Sequence, residues 1–319
     1  MHASLANQAY ILRRQGKLKE ALQMHEEAYQ SVKEIGAAYY IAESTLFKGI
    51  ILMQLGQFKE ASQLYQESLQ MAKDHGYVGL QGQVLISTGK LFALQGRHRE
   101  AVEKYKDAFE VVQKRGFKVI MVEALINMVI LLASSGDPKL PFQILDRAFQ
   151  IAVTGEAKTS MDAYSEKKES KEAPQVVPPK GDYRLGLAEI FNAGGYVLMR
   201  MQRMEEALKT LQKAYDLATK HNYPLIEALT LSNMGCCFLR LGQHDNAGTK
   251  LKAAAQRFEE LGVQSEVTTA IPGLTELYPE LMEAGPTKEA AESKLDSLLL
   301  LDPWITAKRV RQLLTHIRS

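Results

Sequence analysis

Three stretches, GKLKEAL (Gly16–Leu22), GQFKEAS (Gly56–Ser62) and GRHREAV (Gly96–Val102), decide how this chain folds, and their glycines lie 40 residues apart. The same phase returns at Gly136 and, after an interruption, at QRMEEAL from Gln202 and GQHDNAG from Gly242, again 40 apart. The step from 136 to 202 is 66 residues, one repeat plus 26 extra. A weaker seventh copy, GPTKEAA, starts at Gly285, three residues out of phase. A fixed period of a few tens of residues is the mark of a stacked-repeat architecture.

Other positions keep the same phase. Five residues after the glycine stand Ala21, Ala61, Ala101, Ala207 and Ala247, with Pro141 breaking the series. Twelve after it stand Ala28, Ser68, Ala108, Ala148, Ala214 and Ala254. Seven before it stand Ala9, Gly49, Gly89, Val129, Gly195 and Gly235, and four before it Leu12, Leu52, Phe92, Leu132, Leu198 and Phe238. Steps of three, four and seven are helical spacings. Each repeat therefore reads as two helices joined at the central glycine, a residue suited to a helix C-cap. A second glycine at offset +20 (Gly36, Gly76, Gly116, Gly262, with Asn222 as substitute) ends the second helix. Small residues where helices cross let the backbones approach, and leucine or phenylalanine fills the space between.

The whole chain has 319 residues, 46% apolar and 24% charged, with a formal net charge of +2. At about 100–200 residues per domain, length alone predicts two domains. The repeat replaces that estimate, because a solenoid grows by adding neighbours. The apolar share excludes a disordered chain. No long apolar run or basic-then-apolar leader is present, and two adjacent cysteines, Cys236 and Cys237, fit a reducing compartment. The expected location is cytoplasmic. Near-neutral charge without a basic stripe argues against nucleic acid as a partner.

The expected organisation is four repeats over residues 1–155, a polar flexible insertion over 156–182, repeats five and six over 183–263, a degenerate seventh over 264–301 and a capping helix over 302–319. The insertion holds Pro174, Pro178 and Pro179 in a polar, mixed-charge setting. The tail carries the only tryptophan, Trp304, just after an Asp-Pro helix-entry signal. One first helix, Val119 to Ala133, has only Glu123 and Asn127 among apolar residues. Such a helix is expected to be buried on every side, by its neighbours, by the insertion, by another copy of the chain or by a partner.

Chemistry finds no foothold in the sequence. His98 and His244 share one repeat phase, as do His75 and His221, so they are repeated turn positions and not ligand pairs. No phosphate-cradling glycine loop or nucleophile elbow occurs. The expectation is a non-enzymatic protein with no cofactor and no metal. What remains is surface, on the face of the first helices opposite the small-residue stripe.

The combination of small residue, leucine or phenylalanine, glycine and two alanines resembles the tetratricopeptide repeat (TPR) family over residues 1–263. The usual repeat is about 34 residues; the 40-residue period resembles the longer variants of kinesin light chains, the spindle adaptor LGN and bacterial Rap regulators. The resemblance implies an all-α solenoid, a right-handed superhelix of antiparallel helix pairs. It also implies a scaffold or adaptor that holds a peptide segment of a partner in a concave groove. The alternative it offers is a peptide-responsive sensor of the Rap or transcription-linked kind. In such relatives, asparagines at offset −9 hold the backbone of an extended peptide. That implicates Asn7, Asn127 and Asn233, with Arg200 and Arg240 reading acidic groups and with Tyr10, Phe47, Ile50, Lys90 and Tyr196 lining the same face. The series is interrupted at −9 by Phe47, Ser87 and Ala193. An amide can donate to and accept from one peptide unit, but equally bonds a neighbouring helix. The groove is expected to be apolar near Tyr10, Phe47 and Ile50 and polar-basic near repeats five and six, with self-association left open.

Overall fold

The computed structural model describes residues 2–14, 17–133, 139–154 and 184–261. The expected insertion at 156–182, the degenerate repeat at 264–301 and the capping helix at 302–319 lie outside the described residues. Within the described residues the chain forms twelve α-helices and no strand. They are α1 (His2–Arg14), α2 (Leu18–Ile35), α3 (Ala38–Gln54), α4 (Phe58–Asp74), α5 (Val78–Leu94), α6 (His98–Gln113), α7 (Lys118–Ala133), α8 (Lys139–Thr154), α9 (Arg184–Arg200), α10 (Met204–Lys220), α11 (Pro224–Arg240) and α12 (His244–Glu260). Each repeat read from the sequence is one consecutive pair of these helices.

The turns follow from the glycines. Gly56, Gly96 and Gly242 adopt φ of 77°, 74° and 70°, the left-handed region that other residues enter at a cost. With the chain so bent, Gln57 N–H donates to the Leu52 carbonyl at 2.9 Å and Gly56 N–H to that of Met53 at 3.0 Å. These two bonds close the end of α3 in a Schellman motif. Gln202 takes the same place with φ 60° and makes the same pair of bonds, Arg203 N–H to Leu198 and Gln202 N–H to Met199. A side chain bearing Cβ costs roughly 1–2 kcal/mol in this conformation. Gln202→Gly is therefore expected to stabilise the chain by about 1 kcal/mol, read as a higher urea midpoint at unchanged slope. A lower or unchanged midpoint would contradict this account of the turn.

Packing within a pair centres on the −7 position. A Cβ built on Gly49 would lie 2.7 Å from Tyr65 Cε1, and one on Gly89 2.4 Å from Tyr105 Cε1. In the later repeats a Cβ on Gly195 would lie 2.4 Å from Leu211 Cγ, and one on Gly235 2.6 Å from Leu251 Cγ. The partner is always the residue at offset +9, and the carbonyls of Ala61, Ala207 and Ala247 sit behind it at 3.4–3.5 Å. Glycine at −7 thus makes room for one large side chain of the second helix. Repeat four divides the volume differently, with Val129 and Leu145 both buried.

Ser68 departs from the alanine series at +12 and uses its hydroxyl: the buried Oγ donates to the Ala42 carbonyl at 2.7 Å. Pro141 departs from the +5 series within the first turn of α8, where its missing N–H is not needed.

Among the described residues the chain divides into two compact units, one ending at Val112 and one running from Gln113 to Glu260. In the first, α2 packs on both α1 and α3, and α4 on both α3 and α5. In the second, α7 packs on α8 and α9, while α11 packs on α9, α10 and α12. The first helices of successive repeats therefore adjoin, flanked by the second helices. Helices α8 and α9 also touch although residues 155–183 separate them in the chain, so repeat stacking continues past that segment. Most of the apolar α7 is buried, since from Ile120 to Leu131 only Glu123 and Ile126 are less than fully buried, but Val119, also expected to be covered, is 63% exposed.

Candidate functional site

Five of the ten residues singled out from the sequence lie in the first unit and five in the second. In the first unit, Asn7 is exposed on α1, and Tyr10 is 45% exposed with the Arg13 guanidinium 5.4 Å from its ring centre. Phe47 of α3 is half-buried, its ring stacked on His25 of α2 at 5.8 Å. Ile50 is half-buried against the core formed by α3, α4 and α5, and Lys90 is half-buried on α5. Close by, the Lys48 ammonium meets the Glu26 carboxylate at 2.5 Å, which holds that carboxyl below its ordinary value.

In the second unit the polar groups converge. Asn233 of α11 is buried and its amide donates to Asn192 Oδ1 of α9 at 3.0 Å, joining two neighbouring first helices. Arg240, exposed at the end of α11, donates to the Met199 carbonyl near the end of α9 at 3.3 Å. Arg200 is half-buried in the last turn of α9, and Tyr196 is buried one turn earlier. Asn127 is buried in α7 and donates to the Glu123 carbonyl of its own helix at 2.7 Å.

These bonds sort the asparagines. The amide of Asn233 links helices, that of Asn127 is turned onto its own backbone, and Asn7 stands in solvent. Sequence reasoning missed Asn192. Its signal was its place next to Ala193, the residue that interrupts the −9 series, where a shift of one position restores an amide facing α11.

The Cys237 thiol offers little reactivity. Cys237 is fully buried in α11 and burial pushes its thiol up to about 12, while Cys236 is half-buried. Among the described residues no group of three metal-ligating side chains comes together. No described helix is long and apolar enough to cross a membrane. The bidentate pairs Arg97–Glu100 and Arg203–Glu206 recur at the start of second helices on exposed surface, where such pairs contribute little.

Antiparallel helical pairs with glycine-capped turns and small residues at each crossing define a helical-repeat solenoid. The model of the tetratricopeptide repeat matches residues 1–74, 40–114 and 186–260, and the chain belongs to that family. No curated protein matches the sequence. Among solved structures, NprR in complex with its cognate peptide NprX is 12% identical, with 99% of this chain and 87% of that one covered at a TM-score of 0.52. A Rap protein complexed with competence and sporulation factor is 11% identical, with 99% and 97% covered and a TM-score of 0.52. BtubC from P. vanneervenii is 14% identical, with 79% and 92% covered and a TM-score of 0.49. At such identities the likeness is one of fold.

Proposed function

We propose that this chain is a non-enzymatic interaction module, a scaffold or adaptor that holds an extended or helical peptide segment of a partner protein on the concave side of its first helices. The observation that carries the proposal is the polar-basic face of the second unit. There Asn192 and Asn233 tie α9 to α11, and Arg200 and Arg240 stand at the ends of the same two helices. Two guanidinium groups on adjoining helices that this amide pair fixes in place suit the acidic side chains of a peptide. Near-neutral overall charge supports a protein partner over nucleic acid, and two cysteines that form no disulfide support a cytoplasmic setting.

The test is affinity capture with mass spectrometry, followed by the variant Arg200→Ala/Arg240→Ala. Capture of the identified partner is expected to fall at least about tenfold, a loss of about 1.4 kcal/mol, with the melting midpoint within a degree or two. Undiminished capture by the folded variant would remove this face from the site. Asn233→Ala is a poorer probe, because it leaves Asn192 without its partner in a buried contact and is expected to lower stability by about 1–3 kcal/mol.

The second reading, a peptide-responsive sensor, draws support from the fold likeness to NprR and Rap protein, each solved with a bound peptide or factor, over 99% of this chain. It expects a short peptide to alter the solution scattering dimensions. A scaffold of fixed shape leaves them unchanged.

A further inference from the structure

In the second unit the face of the first helices that carries Tyr196 and Asn233 is closed to solvent. At offsets −9 and −6, Asn127, Ile130, Ala193, Tyr196 and Asn233 are all buried, Ala193 to 2% and Tyr196 to 4% exposure, and Cys236 alone is half-buried. At the same offsets in the first unit Asn7 and Tyr10 are exposed and Phe47, Ile50 and Lys90 half-buried, with only Ser87 buried. Helix α11 shows the same closure: every residue from Ile226 to Gly235 is buried, yet the described helices packed on it are α9, α10 and α12. In this unit the main helix contacts join a first helix to another first helix or to a second helix. Among the described residues none of these contacts crosses the concave side, so its closure calls for a cover.

We propose that residues 302–319 of this same chain lie across the concave face of α7, α9 and α11, so that a partner peptide binds there by displacing them. The displacement rests on the reading of this face as a peptide site; the covering does not. The chain leaves the described fold at the end of α12, the helix paired with α11. Residues 262–301, at up to about 3.5 Å each, allow residues 302–319 to reach the whole unit. Trp304, Ala307, Val310, Leu314 and Ile317 recur at steps of three and four, the spacing of one apolar helical face, which suits the buried Ile130, Ala193 and Tyr196.

Charge favours the same occupant and gives it a direction. Asp302 opens the segment, and Lys308, Arg309 and Arg311 follow. On the face, Glu123 and Glu189 stand half-buried at offset −13, near the starts of α7 and α9, while Arg200 and Arg240 stand at −2, at the ends of α9 and α11. Running antiparallel to α9, the segment sets its basic residues toward the glutamates and Asp302 toward the arginines.

The full chain carries its own reporters. Trp304 is its only tryptophan, and Cys236 stands at −6 on α11 beside Cys237, whose buried thiol resists modification. Acrylamide is expected to quench Trp304 at least about threefold less in the native chain than in urea. In Leu313→Asp/Leu314→Asp, which puts charge on the apolar stripe, that shielding is expected to vanish. Labelling of Cys236 by a thiol reagent is expected to quicken about tenfold there, with Cys237 still protected. A native Trp304 as open as in urea overturns the proposal, and is what a cover drawn from a second copy or a partner predicts. Equal labelling of Cys236 in the two chains overturns it as well. Should the variant unfold, zero-length carbodiimide cross-linking of the wild-type chain decides: Lys308 is expected to join Glu123 or Glu189, and absence of both links overturns the proposal. None of these readouts uses a partner, so they stand apart from the capture experiment. Opening of Cys236 without any gain in partner capture would uphold the covering and count against the peptide-binding reading alone.

Discussion

Gly89→Ala is expected to destabilise the chain by about 2 kcal/mol, although glycine to alanine inside a helix ordinarily gains roughly 0.5–1 kcal/mol. The added methyl would meet Tyr105 Cε1 at 2.4 Å, Cδ1 at 2.7 Å and Cζ at 3.0 Å. Tyr105 is fully buried and its ring cannot swing away without opening the pair. Gly194→Ala supplies the control. Its methyl would find Thr210 Cγ2 at 3.5 Å and Leu145 Cδ1 at 3.8 Å, ordinary contact distances, so that variant is expected to be neutral or slightly more stable. Denaturant midpoints of the two variants decide the matter. Equal shifts would mean that glycine at −7 is not there to admit the ring. A further check is Gly89→Val combined with Tyr105→Leu, which recreates the Val129 and Leu145 pairing of repeat four. The double variant is expected to recover at least half of what Gly89→Val alone loses, a coupling that a double-mutant cycle measures directly.

Leu211→Ala is expected to cost about 4 kcal/mol, in the upper part of the range for buried leucine truncation. Leu211 is fully buried among Leu198, Met199, Met204, Ala207, Met234 and Cys237. The cost is high because of what faces it. Gly195 has no side chain to relax into the void, and the helix backbone behind it is fixed by its own hydrogen bonds. Thermal melting monitored by circular dichroism reads the loss. A cost below about 1.5 kcal/mol would show that α9 collapses onto α10 and would contradict the rigid pairing described above. Gly195→Leu in the Leu211→Ala background returns the volume from the opposite side and is expected to restore part of the stability.

The repeat was legible because it is built from local rules. Glycine at the central turn is required by backbone geometry, and the φ values at Gly56, Gly96 and Gly242 meet that requirement. Small residues at −7 and +5 mark close helix crossings, and both are buried in every repeat where they are glycine or alanine. Asn222 as a stand-in for the second glycine was equally readable, and its φ of 56° agrees. Gln202 was readable only as a break in the pattern, since a turn that recruits a non-glycine residue gives no composition signal.

The face of the first helices was less legible. The positions came from a family resemblance and a periodicity, and periodicity says which side chains share a face without saying what each one bonds. Asn127 and Asn233 occupy the same offset, yet one bonds its own helix and the other a neighbour. The difference lies in what α7 and α11 have beside them, Asn192 being available only to the latter. Phe47 read as an exposed apolar residue, and it stacks on a histidine 22 positions earlier in the chain.

Sequence alone determined the helical pairs, their turns and the membership of a repeat family, because each rests on contacts within a few dozen residues and repeats often enough to be recognised. Tertiary structure alone decided which large residue each −7 glycine admits, which amides are tied up between helices and which remain toward solvent. Those outcomes depend on pairs of side chains from different helices meeting at ångström range, and no periodicity in a single chain encodes which atoms meet.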